Sequence, residues 1–256
     1  MARIAIISDI HANNHALSAV VEDVLAMQCT GVVCLGDVVG YNAYPAACLD
    51  YVRDLNCAVV KGNHDNEVVS AADTNMNPIA RQAMEWTRKQ LSSEQVAWLA
   101  RLNYQRLVPV DHAASFTIVH SSLDQPRAWN YIMNSSDAFG HFTRQVTPLC
   151  FHGHSHVPRI FVSDGTAAVE LDEPMAALRA DGYCELRPES GLKYAINVGS
   201  VGQPRDGDPR ACYAIYDSDR QLVIHKRVSY DIAAAQDAIR AAGLPDYLAE
   251  RLARGS

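Results

Sequence analysis

The first 65 residues alternate short apolar runs with stretches of helical periodicity. Apolar residues recur at helical spacing over residues 15–27, and residues 45–55 follow with Pro45 suited to a first helical turn. The apolar runs between them predict strands at 3–8, 31–35 and 57–60. Because near-continuous apolar strands separated by helices are typical of parallel sheets, we expect β-α-β units covered on both faces.

The remaining chain is predicted to begin with helices and to continue with strands. Asn77-Pro78 is typical of a helix start and predicts a helix over 79–90, and Ser92 with Gln95 fits a capping box that opens a helix to about residue 102. Further strands are predicted at 116–120, 149–152, 159–162, 195–198, 211–216 and 222–228, with closing helices at 232–242 and 247–252.

Two segments, 124–145 and 165–191, have weak patterns, and we expect them to form loops or small cap segments over a site. No internal repeat or linker interrupts the 256 residues. A chain of this length can form one large domain, so we predict a single domain over 1–256.

Composition and charge restrict the classes of function. The formal net charge of −7 argues against broad electrostatic binding of duplex nucleic acid or an anionic membrane. No run of eighteen apolar residues could span a membrane, and the apolar run after Arg3 is too short for a signal peptide. The seven cysteines include no Cys-x-x-Cys pair, so we expect free thiols in a reducing cytoplasm.

Residue types that bind metal ions occur at five predicted strand ends. They are Asp9 and His11, Asp37, Asn63 beside His64, His120, and His154 with His156. In parallel α/β sheets, ligand sites form just beyond the carboxyl ends of the strands. We therefore expect these side chains to meet at one site.

Each of these positions also has an ordinary interpretation. Asp9 with His11 could be a helix cap or a surface pair, Gly36-Asp37 a turn, and His120 a hydrogen-bonded histidine at a strand end. Together they offer carboxylate, amide and imidazole ligands without thiolate, which suits manganese, iron or zinc. Two such ions about 3.5–4 Å apart would activate water and hold a phosphate for in-line displacement.

The order of these motifs resembles the calcineurin-like metallophosphoesterases. The matching motifs are Asp-x-His at 9–11, Gly-Asp at 36–37, Gly-Asn-His-Asp at 62–65, His120, and Gly-His-x-His at 153–156. Residues 9–13, 36–41 and 197–205 are similar to the small bacterial and archaeal phosphodiesterase branch of that family. The resemblance implies an α/β fold, a four-layer α/β/β/α sandwich of two mixed β-sheets flanked by helices.

The resemblance also implies a set of metal ligands and a catalytic residue. One ion would be bound by Asp9, His11, Asp37 and His156, and the other by Asp37, Asn63, His120 and His154, with Asp37 as the bridge. His64 would protonate the leaving group or stabilise the transition state, although a helix-capping role is the alternative. Manganese is the metal we expect, with iron, zinc, nickel or cobalt as alternatives.

One departure from the family narrows the expected substrate. Ser/Thr protein phosphatases carry Gly-Asp-x-x-Asp-Arg-Gly, whereas this chain has Gly36-Asp37-Val38-Val39-Gly40-Tyr41-Asn42. The second Asp and the phosphate-binding Arg are missing. We therefore expect a phosphodiesterase in which a metal-bridging hydroxide attacks a small or nucleotide-like phosphate ester. The alternatives are a protein phosphatase, a nuclease, or a catalytically silent scaffold like the family's retromer member.

Substrate contacts are expected from Arg205, Asn63 and Tyr41. Arg205 follows a glycine-containing loop and its guanidinium suits phosphate oxygens, but the neighbouring Asp206 and Asp208 also fit a solvated surface loop. Tyr41 follows the predicted bridging carboxylate. Aromatic residues of segment 124–145, Trp129 and Tyr131, could stack on a ring or simply pack. The expected partner is a small phosphate ester or a nucleotide, and the sequence leaves a homo-oligomer open.

Overall fold

Two mixed β-sheets form the centre of the protein in a computed structural model, which describes residues 2–70, 77–110, 113 and 115–256. The strands are β1 (Arg3–Ile7), β2 (Gly31–Cys34), β3 (Ala58–Val59), β4 (Gln105–Val108), β5 (Phe116–Val119), β6 (Leu149–His152), β7 (Arg159–Ser163), β8 (Ala168–Glu170), β9 (Tyr183–Leu186), β10 (Lys193–Asn197), β11 (Ala211–Asp217) and β12 (Leu222–Val228). The first sheet has the order β3-β2-β1-β11-β12-β9, and the second has the order β4-β5-β6-β10-β7-β8.

Helices cover these sheets and close their ends. They are α1 (Asn14–Ala26), α2 (Pro45–Asp54), α3 (Asn63–Val69), α4 (Pro78–Gln90), α5 (Ser93–Ala100), α6 (Ser135–Phe142), α7 (Asp172–Asp181), α8 (Ile232–Ala241) and α9 (Asp246–Arg254). Side-chain caps open several of them, and those of α4 and α5 were predicted. Asn13 accepts from the Ala16 amide to open α1, Asn77 opens α4, and Ser92 with Gln95 forms the capping box of α5.

The alternation of side chains along the strands produces the layers. In β1, Ala5 and Ile7 face an outer core that α1 and α2 cover, whereas Ile6 faces the second sheet. On the far side of the second sheet, Phe161 of β7 packs with Phe142 of α6. The expected four-layer α/β/β/α sandwich is thus confirmed.

Strand direction brings several strand ends to one place. β1, β2 and β3 are mutually parallel, and so are β5 and β6 in the second sheet. Their carboxyl ends form one edge of the sandwich, as parallel β-α-β topology predicts. The antiparallel pairing of β1 with β11 makes the first sheet mixed.

Some elements were not predicted from the pattern. The short helix α3 and the edge strand β4 had no predicted counterpart, and segment 165–191 contains β8, α7 and β9, which place edge strands in both sheets. Segment 124–145 contains α6. Among the described helices, none combines the length and apolar character that crossing a membrane would require.

Candidate active site

Five loops at the strand ends bring together the side chains that the sequence singled out. Asp9 and His11 follow β1, Asp37 follows β2, and His120 directly follows β5. Asn63 and His64 begin α3 just after β3, and His154 and His156 lie in the loop after β6. The metal-ligand candidates are buried apart from Asn63, which is half-buried.

The ligand atoms form two groups that share one carboxylate. Asp9, His11, Asp37 and His156 make the first group, and Asp37, His120 and His154 make the second, with the atoms of each group within 4.8 Å of one another. Asp37 Oδ2 lies 3.5 Å from His11 Nε2 and 3.4 Å from His120 Nε2. Asn63 joins the second group, because its Oδ1 lies 3.2 Å from His120 Nε2.

Hydrogen bonds on the outer side of each imidazole fix which nitrogen faces inward. The Nδ1–H groups donate to main-chain oxygens: His11 to Val39, His120 to Leu35, and His156 to Gln203, at 3.1, 2.9 and 2.6 Å. His154 is reversed, since its Nε2 donates to the Trp129 carbonyl at 2.8 Å. Such outer contacts orient metal-binding histidines and leave the inner nitrogen with a lone pair for a cation.

No lysine or arginine among the described residues pairs with the acids on the inner surface of the site. The carboxylates of Asp9 and Asp37 are buried, and within the described part of the chain their ion-pair partners are all histidines. Among the described residues, the nearest partner of Asp9 Oδ1 is His156 Nε2 at 3.2 Å. Nε2 of His11 also lies 3.0 Å from Nε2 of His156, an unfavourable approach of lone pairs without a proton or cation. These donors therefore fit divalent metal ions.

The pKa values follow the same charge distribution. Burial lowers the pKa of His154 to about 3 and that of His11 well below its usual value, so both rings are neutral. Burial also acts to lower the pKa of His120, but the carboxylates of Asp37 and Asp9 outweigh it and raise this pKa to about 9. For Asp37, burial acts upward and His120 acts downward, with a pKa well below the usual value. The pKa of Asp9 is also lowered, because the upward effect of burial is outweighed by the neighbouring histidines, so both carboxylates are anionic.

Asp65 is a supporting residue to which the sequence analysis gave no role. Its buried carboxylate accepts from the main-chain amides of Asp37, Val38 and Gly62 at 2.8, 3.0 and 3.0 Å. It therefore fixes the loop that carries the shared carboxylate. The sequence feature that could have indicated this role is the position of Asp65 at the end of the Gly-Asn-His-Asp motif.

Close backbone approaches position the two carboxylates. A Cβ on Gly62 would lie 2.1 Å from Asp37 Oδ1, and a Cβ on Gly153 would lie 2.4 Å from Asp9 Oδ2. Ligand residues themselves adopt left-handed backbone, with φ of 53° at Asp9, 51° at Asp37 and 68° at His154. Such conformations cost about 1–3 kcal/mol each and are concentrated at functional sites.

His64 lies beside the first group. It is 4% exposed, its main-chain amide donates to Asp37 Oδ1 at 2.8 Å, and its buried Nδ1 has no hydrogen bond to a described residue. Burial lowers its pKa to about 4, although Asp37 acts in the opposite direction. Gly62 caps α3 and His64 lies in its first turn, so His64 does not itself cap the helix.

Tyr41 connects His64 to two arginines. The Tyr41 ring centroid lies 4.5 Å from that of His64, and the guanidinium carbons of Arg205 and Arg251 lie 5.8 and 5.9 Å from the Tyr41 ring centroid. Arg205 also donates to Gln203 Oε1 at 2.8 Å. Sequence reasoning did not identify Arg251, because the packing of α9 brings it here from the end of the chain.

Segment 124–145 contacts the second group. The Tyr131 ring stacks on His154 with centroids 4.2 Å apart and an interplanar angle of 10°, and the Trp129 ring lies edge-on to His120 at 6.0 Å. Trp129 also provides the carbonyl that accepts from His154. Both aromatic residues therefore touch ligand candidates, whereas the role of this segment as a cap stays a prediction.

Comparisons with known proteins agree with this fold and with the chemistry of the cluster. The chain is 36% identical over 257 residues to an uncharacterized protein of Methanocaldococcus jannaschii, covering 98% of each chain. A metallophosphoesterase structure from Sphaerobacter thermophilus is 41% identical, with a TM-score of 0.84 and coverage of 100% of this chain and 99% of that one.

A hypothetical protein from Pyrococcus horikoshii shares the fold at 16% identity, with a TM-score of 0.78 and coverage of 100% and 99%. The family model described as "Calcineurin-like phosphoesterase superfamily domain" matches residues 2–221, a range that contains every predicted ligand and His64. The chain therefore belongs to the calcineurin-like phosphoesterase superfamily.

Proposed function

We propose that this protein is a metal-dependent phosphodiesterase that hydrolyses a small or nucleotide-like phosphate ester. The observation that carries the proposal is the pair of buried ligand groups that share Asp37. Asp9, His11 and His156 would complete the first metal position, and Asn63, His120 and His154 the second. Two divalent ions there, manganese by preference, would polarise the phosphoryl group and activate water.

The residues around the groups suit a phosphate ester. Arg205 offers a guanidinium at the rim, and the half-buried amide of Asn63 lies beside His120. We propose that these two groups hold the non-bridging oxygens, since preorganised donors stabilise charge that develops in the transition state. Tyr41 packs between Arg205 and His64 and would hold both in place.

We propose that His64 assists departure of the leaving group. With a pKa of about 4 the ring is neutral at neutral pH in the free protein, and burial is the largest cause. A bound phosphate anion would raise that pKa, because negative charge favours the imidazolium form. In the substrate complex a protonated His64 would donate to the leaving-group oxygen.

Gly40 supports the preference for small esters over phosphoproteins. In the protein-phosphatase motif an Asp occupies this position and supports the catalytic histidine. Here a Cβ at Gly40 would lie 2.6 Å from His64 Nδ1, and the φ of 98° also favours glycine. The structure leaves no room for that Asp, so His64 acts without a carboxylate partner on Nδ1 among the described residues.

The free thiols support the proposed cytoplasmic location. All seven cysteines are unpaired, and Cys34, Cys48, Cys150, Cys184 and Cys212 are buried. Burial raises the pKa of the Cys57 and Cys184 thiols to about 11, so these groups are protonated at neutral pH. Buried thiols of this kind behave as small apolar side chains in a reducing compartment.

The test is hydrolysis of bis-p-nitrophenyl phosphate by the manganese-loaded protein, compared with p-nitrophenyl phosphate. We expect the diester to be the better substrate. His64→Ala should lower kcat by about 10²–10⁴-fold. The matched control is His15→Ala, since His15 is a half-buried histidine of α1 that contacts Tyr44 outside both ligand groups. An inactive manganese-loaded protein, or full activity in His64→Ala, would refute the proposal.

A further inference from the structure

A row of rings leads away from the second ligand group. The Trp129 ring lies 6.0 Å from His120, and Tyr104 lies 5.7 Å from Trp129. The Arg127 guanidinium carbon lies 4.7 Å from the Tyr104 ring centroid. We call Tyr104, Arg127 and Trp129 the Tyr104 row. The row begins with Trp129, beside the candidate ligand His120, and ends with the exposed side chain of Arg127.

A cavity of about 690 Å³ runs along the outer part of this row. Tyr104, Arg127 and Arg144 line it together with residues 123–126. This volume is within the range of small-molecule sites, which is about 300–1,000 Å³. The Tyr104 hydroxyl donates to Asn66 Oδ1 at 3.1 Å, so α3 anchors the ring that forms the wall.

The charges around the cavity favour an electron-rich or anionic ligand. Arg144 and Asp124 approach each other at 4.0 Å, which offsets the one acid in the lining. In the described part of the chain, Arg127 has no ion-pair partner, and its guanidinium lies over Tyr104 instead. Lys61 Nζ lies 5.3 Å from the same ring, outside the cavity lining, and donates to the Ala100 carbonyl at 3.0 Å.

Backbone strain at Trp129 connects the cavity to the candidate metal site. Its φ of 58° is unusual for a bulky residue. This conformation places the carbonyl against His154 and the ring between His120 and Tyr104. One strained residue thus contacts both the second ligand group and the row, and strain of this kind is concentrated at ligand sites.

We propose that the Tyr104 row is a subsite for a nucleobase carried by the ester. Planar bases stack on aromatic rings and guanidinium planes with little dependence on sequence. In this proposal an ester with its phosphate at the ligand groups places its organic substituent past Trp129 and on this row. The inference rests on the proposed function, because it assigns the substrate class of the same site.

The experiment compares the binding of AMP and ribose 5-phosphate to the manganese-loaded protein by isothermal titration calorimetry. The two ligands share a phosphorylated ribose and differ in the base. We expect AMP to bind about tenfold tighter or more, which corresponds to the known range for base stacking. Arg127→Ala, at an exposed position, and Tyr104→Leu should each reduce the ratio of the AMP affinity to the ribose 5-phosphate affinity. Tyr104→Phe keeps the ring and should preserve it.

Equal affinities for the two ligands, or no measurable AMP binding, would overturn the subsite. A tenfold ratio that survives both Arg127→Ala and Tyr104→Leu would overturn it as well. Hydrolysis of bis-p-nitrophenyl phosphate separates this result from the wider proposal. A protein that cleaves the diester without preferring AMP refutes the subsite alone, whereas one that prefers AMP but cleaves no diester refutes the phosphodiesterase.

Discussion

The two ligand groups are supported in different ways. His11 and His156 of the first group donate to the carbonyls of Val39 and Gln203, in loops that main-chain hydrogen bonds join to residues 8–12. The Ser200–Gly202 turn also braces this group, since the amide of Gly202 donates to the Asp9 carbonyl at 2.9 Å. The first group is therefore held by main-chain hydrogen bonds at the buried edge of the sandwich.

The second group depends on residues nearer the surface. The outer nitrogen of His154 is held by Trp129, and its ring is covered by Tyr131, which is 49% exposed. Asn63 is half-buried, and Asp37 is the group's one carboxylate. We infer that the first position binds its ion more tightly and that the second exchanges ligands more readily with substrate, because ligand charge and rigid outer contacts both increase affinity.

The largest effect should come from the residue that the two groups share. Asp37→Ala removes a carboxylate from both, so we expect both ions to be lost and kcat to fall on the order of a thousandfold. Metal content by mass spectrometry and diester hydrolysis measure this change. Asp54→Ala, which removes an exposed carboxylate at the end of α2, is the control. If Asp37→Ala retained two ions, Asp37 would not be a shared ligand and the comparison of the two ligand groups would be wrong.

A paired substitution tests the inferred difference in affinity directly. Asp9→Asn weakens the first group, and His154→Gln weakens the second. We expect Asp9→Asn to lose the ion that resists chelation in the wild type, and His154→Gln to keep it. Graded EDTA dialysis with metal analysis measures the retained ions, and the comparison is wrong if the two variants show the opposite pattern.

The two groups also differ in how far the sequence could predict their surroundings. Asp9, His11 and Asp37 follow strongly apolar strands, so local pattern placed them correctly at the carboxyl edge of the first sheet. The helix α3 was missed, because Gly62-Asn63 is also typical of a turn. The strand β4 is an exposed edge strand that pairs with β5, and a single exposed strand leaves a weak apolar pattern.

Contacts over long sequence separations explain what remained hidden. The bonds from Asp65 to the Asp37 loop span 26–28 residues, and the meeting of Arg251 with Tyr41 depends on how α9 packs. No periodicity encodes such contacts. Local pattern likewise could not predict the contacts of Trp129 and Tyr131 with His154, because these contacts depend on how segment 124–145 packs.

A glycine substitution should affect the first group most directly. A Cβ at Gly153 would approach Ser8 Oγ and Asp9 Oδ2 at 2.0 and 2.4 Å, so Gly153→Ala must displace the Asp9 carboxylate. We expect the affinity for the tighter ion to fall about 10–100-fold, as for lost outer contacts at metal sites. Gly140→Ala is the control, because its Cβ would lie 3.7 Å from the nearest atom, Asp124 Oδ2. Unchanged affinity would show that Asp9 is not a ligand.

The smallest effect should come from the ring that covers the second group. Tyr131 stacks on His154 at 4.2 Å, and an aromatic pair contributes about 0.5–1.5 kcal/mol beyond the area it buries. Tyr131→Ala should therefore weaken the more exchangeable ion by roughly two- to tenfold and leave the tighter ion unchanged, whereas Tyr131→Phe keeps the stack and should match the wild type. The measurement is a manganese titration of the metal-depleted protein that resolves two binding steps. If Tyr131→Ala weakened the tighter step instead, the more firmly supported position would be the one beside segment 124–145, and the assignment of rigidity to the first group would be reversed.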